Sequence, residues 1–102
     1  MIRLIEDNRA LIEALCKKYD VLRLDVFGSA ATGAFDPARS DLDFLVEFKA
    51  DSPMRPFHQY FDFLAELKDL FGCEVDLVEV TAVKNPYFLR SMNASRESLY
   101  AA

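Results

Sequence analysis

Residues 41–48 alternate without exception, with Leu42, Phe44, Val46 and Phe48 on one side and Asp41, Asp43, Leu45 and Glu47 on the other. A side-chain period of two belongs to a β-strand, and a helix would scatter this pattern over all its faces. The run predicts a strand with one apolar face and one face carrying two carboxylates. Two other segments have the same character. In Val21–Phe27, Leu22, Leu24 and Val26 share a face opposite Arg23 and Asp25. In residues 74–80, Val75 and Leu77 oppose Glu74, Asp76 and Val78. Helical periods fill the intervals. Residues 2–19 place Ile5, Ile12, Leu15, Cys16 and Tyr19 at three-and-four spacing, with Glu6 and Asp7 early and Lys17 and Lys18 late, the order that suits a helix dipole. Residues 57–71 predict a second long helix, with Gly72 where a C-cap glycine belongs. A loop is expected around Pro37 and another between Pro53 and Pro56. A short helix from Pro86 and a short strand near residues 99–100 complete the chain. Helices alternating with strands make the class α/β, a small mixed β-sheet with helices on one face.

With no repeats, linkers or low-complexity tracts, residues 1–102 are expected to form a single domain. Hydrophobic residues make up 52%, nine of them Phe, enough for a core and incompatible with intrinsic disorder. Seventeen acidic against twelve basic residues leave a net charge of −5, which argues against a plain nucleic-acid-binding module. The single His rules out a His-based zinc centre. Cys16 and Cys73 lack metal-ligand spacing and read as free thiols in a reducing cytoplasm. No apolar run approaches the ~18–20 residues of a membrane span, and the N-terminus is unlike a signal peptide.

Chemistry concentrates at two places. Gly28 and Ser29 end the first strand, and Ala30, Ala31, Thr32 and Gly33 follow. A glycine there lets backbone approach a ligand, and the N–H groups opening a following helix attract anions, with the Ser hydroxyl as a further donor. The second place is Ser40, Asp41, Leu42 and Asp43. Two carboxylates two residues apart on a strand share a side at about 6.5 Å, a spacing that lets both reach divalent cations. Each feature alone fits an ordinary turn, or a solvated strand face, better than a site. Parity changes this: if every strand turns its apolar face to the core, Asp76 emerges beside Asp41 and Asp43. Three carboxylates next to a Gly-Ser turn describe a site for a triphosphate and Mg²⁺, in which two ions about 3.5–4 Å apart serve the attacking and leaving oxygens. Asp25 is a minor further candidate for this cluster. His58 and Glu74 read as surface residues. The aromatic stripe of Phe57, Phe61, Phe63, Leu64, Leu67 and Phe71 is wider than one helical face needs, a pattern that also marks partner surfaces.

The run from Gly28 to Gly33, followed by Ser40-Asp41-Leu42-Asp43-Phe44-Leu45-Val46, resembles the signature of the DNA polymerase β-type nucleotidyltransferase superfamily. The branch it looks most like is the minimal nucleotidyltransferases of bacteria and archaea. Val75-Asp76-Leu77-Val78, Lys84-Asn85-Pro86-Tyr87 and the little chain beyond the core fit that branch. The resemblance implies that Gly28, Ser29 and Ser40 hold the nucleotide, that Asp41 and Asp43 bind the metals, and that Asp76 is metal ligand or general base. It also implies an enzyme using Mg²⁺ and ATP, moving AMP to a hydroxyl, by preference a tyrosine, of a HEPN-domain toxin, for which this chain is the antitoxin. The family pattern usually has Arg at the position of Thr32, where a guanidinium would clamp phosphate in a way Thr does not. Arg39 reads as a solvated loop arginine rather than a substitute. Two other readings stay open: an antitoxin with a weakened site that neutralises its toxin by contact, and transfer to a small molecule, which a missing second domain disfavours.

Overall fold

The computed structural model describes residues 2–36 and 39–102. Helices α1 (Arg3–Glu6) and α2 (Arg9–Lys18) lead into strand β1 (Val21–Phe27) and the short helix α3 (Ser29–Thr32). Strand β2 (Leu42–Phe48), helix α4 (Pro56–Phe71) and strand β3 (Val75–Glu79) follow. A single 3₁₀ turn (Val80–Ala82), helix α5 (Pro86–Ser95) and strand β4 (Glu97–Ala101) end the chain. The sheet order is β3-β2-β1-β4. β1 runs antiparallel to β2 and β4, whereas β2 and β3 are parallel. A parallel pair needs a crossover, and α4 supplies it. Its start is set by Pro56 in the first turn, and its end by Gly72 at φ 64°, left-handed backbone that favours glycine.

One sheet face carries the main core: Val21, Leu24, Val26, Leu42, Phe44, Val46, Val75 and Leu77 pack against Ile5, Ile12, Cys16, Phe63, Leu67 and Phe71. Three expectations need correction. The N-terminal helix is two helices, broken at Asp7 and Asn8, where the Asn8 side-chain amide donates to the Leu4 carbonyl at 2.8 Å. Leu22 does not share a face with Leu24 and Val26. A bulge between Val21 and Arg23 shifts the parity, so Val21 turns inward and Leu22 is 39% exposed. Nor do all helices lie on one face. Met92 of α5 packs on Phe27 and Leu45 on the opposite side, with Val78, Val80, Val83 and Leu89 around them. The second face is therefore partly roofed, over Phe27 and Leu45, and it is more open where Asp76 is exposed and Asp43 half-buried. Pro37 lies outside the described residues. Among those described, no helix is long and apolar enough to cross a membrane.

Candidate active site

Strand register assembles the site. Asp43 of β2 stands directly beside Asp76 of β3, and on its other side faces Phe27 of β1. Directly paired residues share a sheet face, so Asp43 and Asp76 emerge together on the more open part of the second face. Asp41 immediately precedes β2 and is exposed, as is Asp76, whereas Asp43 is half-buried. The parity of Asp76 with Asp43 thus agrees with the sequence expectation, whereas Asp41, expected within the strand, lies just ahead of it.

What half-buries Asp43 is backbone. Gly28 follows Phe27 with φ 70° and ψ −148°, a conformation almost confined to glycine. A Cβ at this position would lie 2.6 Å from Asp43 Oδ2. The glycine is required twice, for its backbone angle and for its contact with the carboxylate. This contact has an electrostatic result. Burial, then the negative charge of Asp76, then that of Asp41, push the Asp43 carboxyl up from its ordinary value to about 6. The carboxyl sits in a field that favours either a proton or a cation.

The Gly-Ser turn has its own bonding. The Gly28 N–H donates to Ser95 Oγ at 2.9 Å and so is not an anion donor. The Gly28 carbonyl accepts from the N–H groups of Ala31 and Thr32 at 3.1 and 3.2 Å. The N–H groups that open α3 without an intrahelical acceptor are those of Ser29 and Ala30. Ser40 accepts the Asp36 N–H on its Oγ at 3.1 Å, and its own N–H donates to the Asp36 carbonyl at 2.7 Å. Both bonds tie Ser40 back to Asp36 just ahead of Asp41. Thr32 is exposed, its hydroxyl 3.4 Å from the Ser29 carbonyl to which it donates. Arg39 is exposed and 4.0 Å from Asp36, as a solvated loop arginine would be.

Asp25 does not join the cluster. It lies on the same sheet face but is 1% exposed, ion-paired to Arg96 and 3.5 Å from Arg23. Arg96 and Ser95 are the residues that sequence reasoning missed. They lie some seventy residues from their partners, and nothing in their local pattern announces the contact. Among the described residues, no three His, Cys, Asp or Glu side chains converge as a metal cluster. Mg²⁺ takes few protein carboxylates and completes its octahedron with water and substrate phosphate. The hard-oxygen donors and the raised Asp43 carboxyl both fit such an ion. A groove of about 550 Å³ between Phe57, Tyr60 and Phe61 of α4 and Leu77 of β3 includes none of the three carboxylates. The site is an exposed shelf, with Asp41 and Asp76 exposed and Asp43 half-buried.

A nucleotidyltransferase domain family matches residues 9–99. A Methanocaldococcus jannaschii chain provisionally named a protein adenylyltransferase is 40% identical over 78 residues, 76% of each chain. A solved structure provisionally described as a minimal nucleotidyltransferase superposes with a TM-score of 0.76 at 26% identity, covering 94% of this chain and 95% of that one. A chain from a complex of tri-AMPylated Shewanella oneidensis HEPN toxin with its MNT antitoxin shares the fold, at a TM-score of 0.66 and 17% identity over 95% of this chain and 72% of that one. The paired carboxylates, the glycine pressed on them and these likenesses agree, and the chain belongs to the nucleotidyltransferase domain family as an enzyme with the minimal nucleotidyltransferase fold.

Proposed function

We propose that this enzyme moves AMP from ATP to a tyrosine hydroxyl of a HEPN-domain toxin, and thereby acts as its antitoxin. The observation that carries the reading is Asp43, wedged between Gly28 and Asp76 with its carboxyl raised to about 6. A group so placed is poorly served by water and well served by a cation that a triphosphate brings with it. The partner class is supported by the relative named as a protein adenylyltransferase and by the fold shared with a chain of an AMPylated HEPN toxin complex. Residues 1–102 act as one domain, in a cytoplasm that keeps Cys16 and Cys73 reduced, and the net charge of −5 disfavours direct binding to nucleic acid.

In this reading Asp41, Asp43 and Asp76 hold Mg²⁺, two ions in the complete site. Mg²⁺, when bound, supplies charge neutralisation on the phosphates and a more acidic acceptor hydroxyl. Ser29 donates to phosphate through its hydroxyl and N–H, with Ala30 N–H beside it. Gly28 contributes room rather than a donor, and Ser40 orders the approach to Asp41. The acceptor oxygen bonds to the α-phosphorus, the bond to the β-phosphate oxygen breaks, and pyrophosphate leaves. Asp76, exposed on the shelf, is ligand or acceptor of the hydroxyl proton.

Thr32 favours a second reading. An exposed threonine offers no cation where a phosphate clamp is wanted, as in an antitoxin that works by contact alone. One variant separates the two. Asp43→Asn should still bind the toxin, but should neither add AMP to it, by intact mass, nor protect cells from it. Full protection by Asp43→Asn establishes the contact reading.

A further inference from the structure

The pairing of β1 with β4 stops at Val26 and Glu97. Beyond it, side chains continue the connection. Arg96 Nε donates to Asp25, and Arg96 Nη1 to Asn93 Oδ1 at 3.1 Å, which fixes the guanidinium across the end of α5. Ser95, the preceding residue, takes the Gly28 N–H. Two successive residues thus hold β1 at Asp25 and the turn at Gly28. Asp25, Phe27 and Asp43 share one face, and Gly28 is the backbone that closes on Asp43.

We propose that Ser95 and Arg96 form a latch that positions the Gly28-Ser29 turn against Asp43, and so set the affinity for nucleotide. The proposal rests on the reading of that turn as the phosphate seat. Gly28 has no side chain to hold it, and its backbone angles are open to a glycine only because many others are too. Without Ser95 Oγ, the Gly28 N–H loses its acceptor, and the turn is held less directly, by packing at Phe27 and Asp43 and by the Ile2 N–H on the Ala30 carbonyl. The Ser29 hydroxyl would then lose its registration with the carboxylates. Both are positioning residues: neither needs to touch the nucleotide.

The test uses the full chain with Ser95→Ala and Ser95→Thr. Alanine is a good helix former, so α5 should persist. Amide exchange at Gly28, read by NMR without metal or nucleotide, should accelerate in Ser95→Ala and return towards wild type in Ser95→Thr. Calorimetry with AMP-PNP and Mg²⁺ should show Kd raised about tenfold in Ser95→Ala, equivalent to ~1.4 kcal/mol, and restored in Ser95→Thr. A loss of folded protein would lower the number of sites and leave Kd alone. Arg96→Lys, which keeps a charge facing Asp25 but not the planar fork, should shift Kd in the same direction. Unchanged Gly28 exchange in Ser95→Ala overturns the latch, and so does faster exchange with unchanged Kd. A wild-type chain that fails to bind AMP-PNP with Mg²⁺ overturns the phosphate seat itself, while the exchange measurement still reports on the hydrogen bond.

Discussion

Asp43 shows how a single carboxylate couples the fold to its chemistry. Its folded pKa of about 6 lies above the ordinary 3.8, because burial, Asp76 and Asp41 all oppose its charge. The fold therefore prefers the protonated form, and the stabilisation this brings is fully present below the unfolded pKa and lost as pH rises through about 6. In EDTA, Asp43→Asn should raise Tm at pH above 6, with the gain shrinking to nothing as pH falls below the unfolded value; thermal melts across pH read this directly. A variant that melts lower than wild type throughout would mean that the ionised carboxylate has a compensating partner. Gly28 gives the steric counterpart. Gly28→Ala combines an unfavourable backbone angle, costing about 1–3 kcal/mol, with a methyl 2.6 Å from Asp43 Oδ2. Chemical denaturation should show that loss, and Asp43→Ala in the same chain should recover the part due to the methyl but not the part due to φ.

At the level of elements, α4 divides its aromatic residues between two tasks. Phe63, Leu67 and Phe71 are buried, with Phe63 tilted on Tyr19 and edge-on to Phe48, and Phe71 stacked on Phe44. Phe57 and Phe61 touch each other but are 67% and 49% exposed. The stripe is wider than the core, as its sequence suggests, and the surplus lies near the helix start. Stability should follow burial. Phe63→Ala should cost about 3–5 kcal/mol, through lost transfer energy and the cavity left behind. Phe57→Ser with Phe61→Ser should change stability by no more than about 0.5 kcal/mol per site. Urea titrations of the two variants compare them. Similar losses would mean that the outer aromatics are part of the core in solution. Helix α5 shows the opposite case, where sequence pattern reveals an element but not its partner. Its start is marked by Asn85, which caps the Tyr87 and Phe88 N–H groups, and by Pro86. Nothing local says that Met92 will roof the second sheet face.

Taken as a whole, the molecule carries a net charge of −5 and sets Asp43 and Asp76 side by side on one sheet face, with Asp41 just ahead of β2. A triphosphate approaching alone meets negative charge on negative charge, so nucleotide and cation should bind together. ATP should bind far more weakly in EDTA than with Mg²⁺, and Asp41→Asn with Asp43→Asn should abolish the difference while leaving Tm close to wild type or higher. Calorimetry in the two buffers decides it. Metal-independent binding that is unchanged in the double variant would remove the carboxylates from the site.

What the sequence determined by itself was whatever depends on local period and on spacing within one element. The alternation of residues 41–48 sufficed for β2, which begins one residue later at Leu42, and for the side on which Asp43 emerges. Gly72 marked the end of α4, which starts at Pro56, one residue ahead of the expected 57, and parity alone placed Asp76 beside Asp43. This worked because a strand's side-chain period is fixed by its backbone, and a carboxylate cannot change face without a change of register. Where register changes, the method fails: a bulge of one residue turned Leu22 outward and Val21 inward. Tertiary structure alone decided the rest. Asp25 and Asp43 are both aspartates on the same sheet face, yet one is sealed beneath Arg96 and the other is left beside Gly28 with its pKa raised. The difference arises because α5 returns across only part of that face, and the contacts that fix its path, Arg96 to Asp25 and Gly28 to Ser95, join residues too distant in the chain for any local pattern to encode.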